Sequence, residues 1–143
     1  MNEMRMTDLA TQFAAICGDA HVQRGDGIDT RYQSDWLGTK ESDPAIVVRP
    51  GETAEVAAVM RLCAETRTPV IPFGGNSGLA GGTVARAEDR VVLLSLERMN
   101  KVRRIDRAGM YMVAEAGCIL QNLHQAVEAE GLMFPLVLSL IHI

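Results

Sequence analysis

The sequence predicts an α+β fold, a parallel βαβ lobe followed by the start of an antiparallel lobe. Three observations carry that expectation. Apolar runs of strand type flank an amphipathic helical stretch. A glycine-rich loop follows the second of these runs. Further along, two strand-like runs surround the short turn Arg107-Ala108-Gly109, which is a hairpin signal.

Taken in order, residues 7–17 read as a helix with Thr7 as N-cap and Asp8 in the first turn. Leu9, Phe13, Ile16 and Cys17 fall on one face, and Gly18 is a natural stop. Residues 19–43 are polar and turn-rich and are expected to form an arm anchored by Tyr32 and Trp36. AIVVR, residues 45–49, is a strand that ends in the turn Pro50-Gly51. Residues 53–66 form a helix, with Thr53 as N-cap and Val56, Val59, Met60 and Cys63 at helical spacing. A second strand begins at residues 69–71. The third, VVLLSL at 91–96, is apolar throughout and so is expected to be buried on both faces. Such a unit closes with a right-handed crossover. Residues 102–106 and 110–116 are the hairpin strands. A helix over 119–130 follows, with Leu120, Leu123 and Val127 on one face and Gly131 as its stop.

The composition narrows the function classes. The chain has 143 residues, 48% hydrophobic and 22% charged, which is globular composition for one ordinary domain. Its net charge of -4 and lack of a basic block argue against a nucleic-acid partner. Cys17, Cys63 and Cys118 show neither zinc spacing nor a disulfide framework and read as small apolar residues in a reducing compartment. The first 17 residues have scattered charges and no apolar h-region. The expectation is a cytoplasmic protein with no membrane span.

The loop at residues 72–83, PFGGNSGLAGGT, holds five glycines in twelve residues. Glycine admits positive φ and lets a ligand approach the backbone. Consecutive backbone N–H groups in such turns form an anion-binding nest, and Asn76, Ser77 and Thr83 add side-chain donors. No lysine or arginine occurs between Pro72 and Ala85. A phosphate group here would be held by the backbone and neutral donors. The Walker loop is excluded, because no lysine followed by serine or threonine comes after the glycines. The dinucleotide fingerprint G-x-G-x-x-G is excluded too, because position 76 is Asn and the residues after Thr83 lead into a strand. A plain solvent loop between strands is the competing reading.

The run from AIVVRPGETAEV to PFGGNSGLAGGTV resembles the start of the FAD-binding domain of the vanillyl-alcohol oxidase and p-cresol methylhydroxylase (PCMH-type) superfamily. GGNSGLAGG followed by RMNKV, EAGCILQNL and GLMFPL looks most like the D-2-hydroxyglutarate, D-lactate and glycolate dehydrogenases. The resemblance implies that Pro72, Gly74, Gly75, Asn76, Ser77, Gly78 and Leu79 wrap the FAD pyrophosphate, and that Gly81, Gly82 and Thr83 complete the turn. It places Pro135, with Leu136, near the flavin. Relatives that attach FAD covalently through this loop carry His at the position of Asn76, so non-covalent FAD is expected. Phe73 departs from the polar or basic residue that relatives often have there. For a full-length protein the resemblance implies a small 2-hydroxyacid substrate and an electron acceptor. Other members of the superfamily, such as sugar or alcohol oxidases or the enolpyruvyl-sugar reductase, are alternatives.

His21, His124 and His142 pair with no acid or cysteine at catalytic spacing, and Asp106 and Glu115 read as surface charges. Met99 is expected to pack and Asn100 to turn the chain. After Leu136 the resemblance ends. VLSLIHI, residues 137–143, is similar instead to the translation of a sequencing-library adapter, a short C-terminal strand being the alternative. The expected organisation is an arm at 1–43, a partial PCMH-type FAD-binding domain at 44–136 and a non-family tail at 137–143. Such a truncated chain is expected to be catalytically inactive by itself, a non-catalytic FAD- or nucleotide-binding fragment.

Overall fold

The computed structural model describes residues 2–39 and 41–136, with side chains from Met6 onward. Helix α1 (Asn2–Cys17) leads into strand β1 (Val22–Arg24), followed by β2 (Ile46–Val48), helix α2 (Thr53–Thr66), β3 (Val70–Phe73) and β4 (Val92–Ser95). The hairpin β5 (Val102–Asp106) and β6 (Tyr111–Ala114) and helix α3 (Leu120–Glu128) complete the described chain. Short 3-10 turns occupy the arm and precede β4.

The main sheet has the order β1-β2-β4-β3. β4 runs parallel to both β2 and β3, so the β2–α2–β3 unit steps over one strand. β1 pairs antiparallel with β2, Val22 opposite Val48. The parallel lobe and the separate antiparallel hairpin are those the sequence predicts.

Alternation along β2 and β4 divides the core in two. Ile46, Val48, Val92 and Leu94 face α1 and α2, where they meet Leu9, Phe13, Cys17, Val59 and Cys63. Val47 and Leu93 face the other way, against Ile28, Tyr32 and Phe73. Each of the three apolar residues of β4, Val92, Leu93 and Leu94, therefore has a partner on one side or the other. Burial pushes the thiols of Cys17 and Cys63 up to about 11, as suits small apolar core residues. Tyr32 and Phe73 meet edge to face with ring centroids 5.0 Å apart, which accounts for the aromatic residue at position 73.

Several local expectations are corrected. α1 begins at Asn2, and Thr7 lies inside it, its carbonyl accepting the Thr11 hydroxyl at 3.0 Å. Thr53 is the first residue of α2 and not its cap. The Glu55 carboxylate instead accepts the Gly51 N–H at 2.6 Å, satisfying a donor just outside the helix. At the other end Arg67 takes the left-handed conformation (φ 52) usually filled by glycine, and Thr68 N–H closes on Cys63 O at 2.8 Å. Only one of the two expected arm anchors is buried: Tyr32 is 1% exposed and Trp36 is 52% exposed. The hairpin strand β6 and helix α3 are each shorter than expected, since Met110 (φ 51) belongs to the turn and Gly131 (φ 69) closes the segment after α3. The tail 137–143, with His142, lies outside the described residues. No helix among the described residues is long and apolar enough to cross a membrane.

The hairpin is joined to the main sheet at Gly117. Its N–H donates to Met99 O at 2.8 Å. A Cβ at this position would lie 1.8 Å from Leu96 O and 2.9 Å from Met99 O, both backbone atoms. Nearby, the Glu115 carboxylate accepts the Lys101 N–H at 2.9 Å and Arg103 at 3.0 Å, and these bonds hold its carboxyl below the usual range. Met99 is buried and Asn100 is exposed, as a packing residue and a turn residue should be.

Gly117→Ala should therefore force the two lobes apart and destabilise the protein by about 3 kcal/mol. A thermal melt measures this directly; an unchanged midpoint would contradict the close approach.

Candidate functional site

The glycine-rich loop leaves the C-terminal end of β3, the end at which parallel sheets place their ligands. Its first anchor is Phe73, buried against Tyr32. The second is Asn76, whose amide nitrogen donates to Ser34 O at 3.0 Å while its amide oxygen accepts the Thr83 hydroxyl at 2.7 Å. One side chain thus ties the loop to the arm and closes its two ends on each other. Asn76 adopts φ 52, a left-handed conformation that asparagine tolerates better than most residues.

Between these anchors the backbone is bare. Among the described residues, no backbone N–H from Gly75 to Thr83 donates to a backbone carbonyl. Of the five glycines only Gly81 has a positive φ, 77°. A Cβ added to Gly74, Gly75, Gly78 or Gly82 would meet nothing within 4 Å. The fold itself places no demand for glycine at these four positions. What glycine provides there is unobstructed backbone donors, the property an anion cradle requires. The residues present therefore fit a pyrophosphate.

A cleft of about 380 Å³ opens beside the loop, floored by Gly74, Gly75 and Asn76 and walled by Arg31, Trp36 and Glu97. The cation at this wall, Arg31, is already committed. Glu97 pairs with Arg31 at 2.8 Å and with Arg49 at 2.7 Å. Arg31 also donates to the Tyr32 hydroxyl at 2.8 Å and lies 4.7 Å over the Tyr32 ring. The Tyr32 hydroxyl donates in turn to Ser95 Oγ at 3.3 Å, and burial holds its phenol above the usual range.

Of the residues singled out from the sequence, the structure places nine in one loop: Gly74, Gly75, Asn76, Ser77, Gly78, Leu79, Gly81, Gly82 and Thr83. Pro72 sits one position before Phe73 in β3, paired with Leu94. Pro135 lines a second cleft of about 740 Å³, between the hairpin and α3, together with Met133 and Phe134. Arg31, Ser34 and Glu97 carry no signal of their own in the sequence, and Trp36 is expected from it only as an anchor of the arm. The available signal was the aromatic pair Tyr32 and Trp36 in an otherwise polar arm.

No group of His, Cys, Asp and Glu that could hold a metal ion occurs among the described residues. Burial, and then Arg98 and Arg49, hold the His21 imidazole below its ordinary value. His124 contacts Leu136 O at 3.0 Å. The open backbone donors of the loop are an arrangement suited to holding an anion.

Comparison with known proteins gives the same picture. A family model described as "FAD binding domain" matches residues 44–142. A probable mitochondrial D-2-hydroxyglutarate dehydrogenase of Oryza sativa subsp. indica is 34% identical over 93% of this chain and 23% of its own length. A D-lactate dehydrogenase of Anaerostipes hadrus is 35% identical over 78% of this chain and 23% of its own length. The chain thus spans about a quarter of the length of the curated relatives it matches. Among solved structures, p-cresol methylhydroxylase superposes with a TM-score of 0.76 and 21% identity, over 88% of this chain and 25% of that one, which shows the shared PCMH-type fold.

Asn76→Ala removes both latch bonds and a residue suited to positive φ, and should cost about 2 kcal/mol. Asn76→Asp keeps an acceptor for Thr83 but loses the donor to Ser34, and should fall between wild type and Asn76→Ala. Melting curves of the three proteins check the order; an Asn76→Ala protein as stable as wild type would show that the latch contributes nothing.

Proposed function

The chain belongs to the FAD binding domain family, and we propose that it is the pyrophosphate-holding lobe of a flavin-dependent dehydrogenase that oxidises a D-2-hydroxyacid. The observation that carries the reading is the row of free backbone N–H groups from Gly75 to Thr83, set among glycines that the fold does not otherwise require. Each hydrogen bond from such a donor to a charged oxygen contributes about 1.5–3 kcal/mol. A few of them suffice to hold a pyrophosphate without a local cation.

FAD, when bound, supplies the hydride-accepting and electron-passing chemistry. This lobe binds and orients it. The Asn76 latch fixes the path of the loop, and Phe73 and Tyr32 fix where the loop starts. Asn76 has no nucleophilic imidazole, and its amide is engaged at both ends, which supports non-covalent attachment. The substrate class, a small D-2-hydroxyacid of the 2-hydroxyglutarate, lactate or glycolate type, is supported by the names of relatives at 34% and 35% identity. The electron acceptor and the remaining substrate contacts belong to parts of the protein outside this lobe. A cytoplasmic location, read from the sequence, is part of the proposal, although the plant relative is named as mitochondrial.

Full-length protein carrying this chain should purify with a flavin spectrum, release intact FAD on acid precipitation and reduce a dye with one of these hydroxyacids. Flavin that stays with the precipitated polypeptide would refute non-covalent attachment. A flavin-loaded protein inactive on all three acids would refute the substrate class. Gly75→Arg gives a sharper check. Open space surrounds that glycine and its φ is not positive, so the variant should melt within about 1 kcal/mol of the wild-type apoprotein yet retain no flavin. A normal flavin spectrum in that variant would count against the cradle.

A further inference from the structure

Trp36 is the one tryptophan of the chain, and it is half exposed at the wall of the glycine cleft. An indole left uncovered in this way, beside a phosphate-type cradle, calls for an occupant. Core anchoring does not explain it, because Tyr32 fills that role from four residues earlier. Nor does a loose loop tip. The backbone on both sides of Trp36 is pinned. The Asp35 carboxylate accepts the Thr39 N–H at 2.7 Å and the Thr39 hydroxyl at 2.9 Å, and Gly38 N–H closes on Asp35 O at 3.0 Å. Ser34 bridges to Glu41, and its carbonyl is held by Asn76. The turn is built to hold the indole where it is. Arg31 is committed to Glu97 and Asp29, and Phe73 is buried against Tyr32, which leaves the indole as the exposed apolar surface beside the cleft.

We propose that Trp36 is a positioning residue for the dinucleotide, its indole packing face-on against a planar ring adjoining the pyrophosphate. This rests on reading the glycine loop as the FAD pyrophosphate cradle. A dinucleotide carries one planar ring on each side of its pyrophosphate, one sugar or one ribityl chain away. A wall beside the cradle is where such a ring is met, and aromatic stacking suits both adenine and isoalloxazine because each presents a π-face.

The test uses the full-length protein stripped of flavin. FAD affinity is measured by flavin fluorescence for wild type, Trp36→Phe, Trp36→Leu and Trp36→Ala, with melting curves for each. Stacking predicts that Phe stays within about threefold of wild type and that Leu and Ala weaken binding about tenfold. Leu retains apolar area without the planar ring, so it separates stacking from simple burial. The melting points should change little, since the side chain is half exposed. The emission of Trp36, obtained as the difference between wild type and Trp36→Phe, should be quenched by FAD. Quenching by ADP assigns adenine as the ring; quenching by FMN and not by ADP assigns the isoalloxazine. Wild-type protein that binds FAD while Leu and Ala bind it as tightly, or while Trp36 emission is unchanged, would overturn the proposal. Wild-type protein that binds no FAD would instead overturn the reading of the loop on which it rests.

Discussion

Strand β4 has no face to give to water. All four of its residues are buried, and its side chains alternate between two separate apolar clusters. Val92 and Leu94 need α1 and α2; Leu93 needs the arm. A fully buried Val or Leu contributes roughly 1.5–3 kcal/mol, and that is forfeited if either cover lifts. The arm is therefore part of the core. With Ile28 and Tyr32 seated over β2 and β4, Ser34 and Trp36 are brought to the end of β3, where the glycine loop departs. The geometry of the cleft follows from how the central strand is packed.

For an anionic ligand the loop offers directional hydrogen-bond donors in place of a cation. The chain is net acidic, and Arg31 and Arg49 are paired with the carboxylates of Asp29 and Glu97. In the proposed function, attraction for an anion would come from backbone dipoles held in place by Asn76 and Phe73. Such contacts act at short range and are screened by salt far less than a basic surface would be. They also require a fixed backbone. The latch between residues 76 and 83 and the buried ring at 73 are accordingly as much a part of the site as the glycines.

Much of this was legible in the sequence where a pattern spans many residues. The apolar runs around residues 45–49 and 91–96, the helix at 53–66 and the hairpin around Gly109 each carry a period or a turn signal, and each is present. The glycine loop was legible as a loop leaving β3, with the open backbone that its composition suggests. What was hidden depends on tertiary partners. β1 has three residues, Val22, Gln23 and Arg24, too few to show a period, and becomes a strand only by pairing with β2. Tyr32 and Trp36 are similar residues in a similar polar context. Tertiary neighbours make the difference: Tyr32 is buried with Ile28, Val47, Phe73 and Leu93, and Trp36 lies outside that cluster. Arg67 caps α2 in a left-handed conformation that no local rule assigns to arginine. The obligation on Gly117 arises from the backbone of Leu96, 21 residues away in the chain.

The proposed function requires that backbone amides of this loop hold the FAD pyrophosphate. Amide hydrogen exchange, resolved to single residues in the full-length protein with and without FAD, tests it most directly. Without FAD, the amides from Gly75 to Gly82 should exchange rapidly, because they have no backbone partner. With FAD they should become strongly protected, while the β4 amides, already buried, change little. FAD binding that leaves the exchange of these loop amides unaltered would contradict the account.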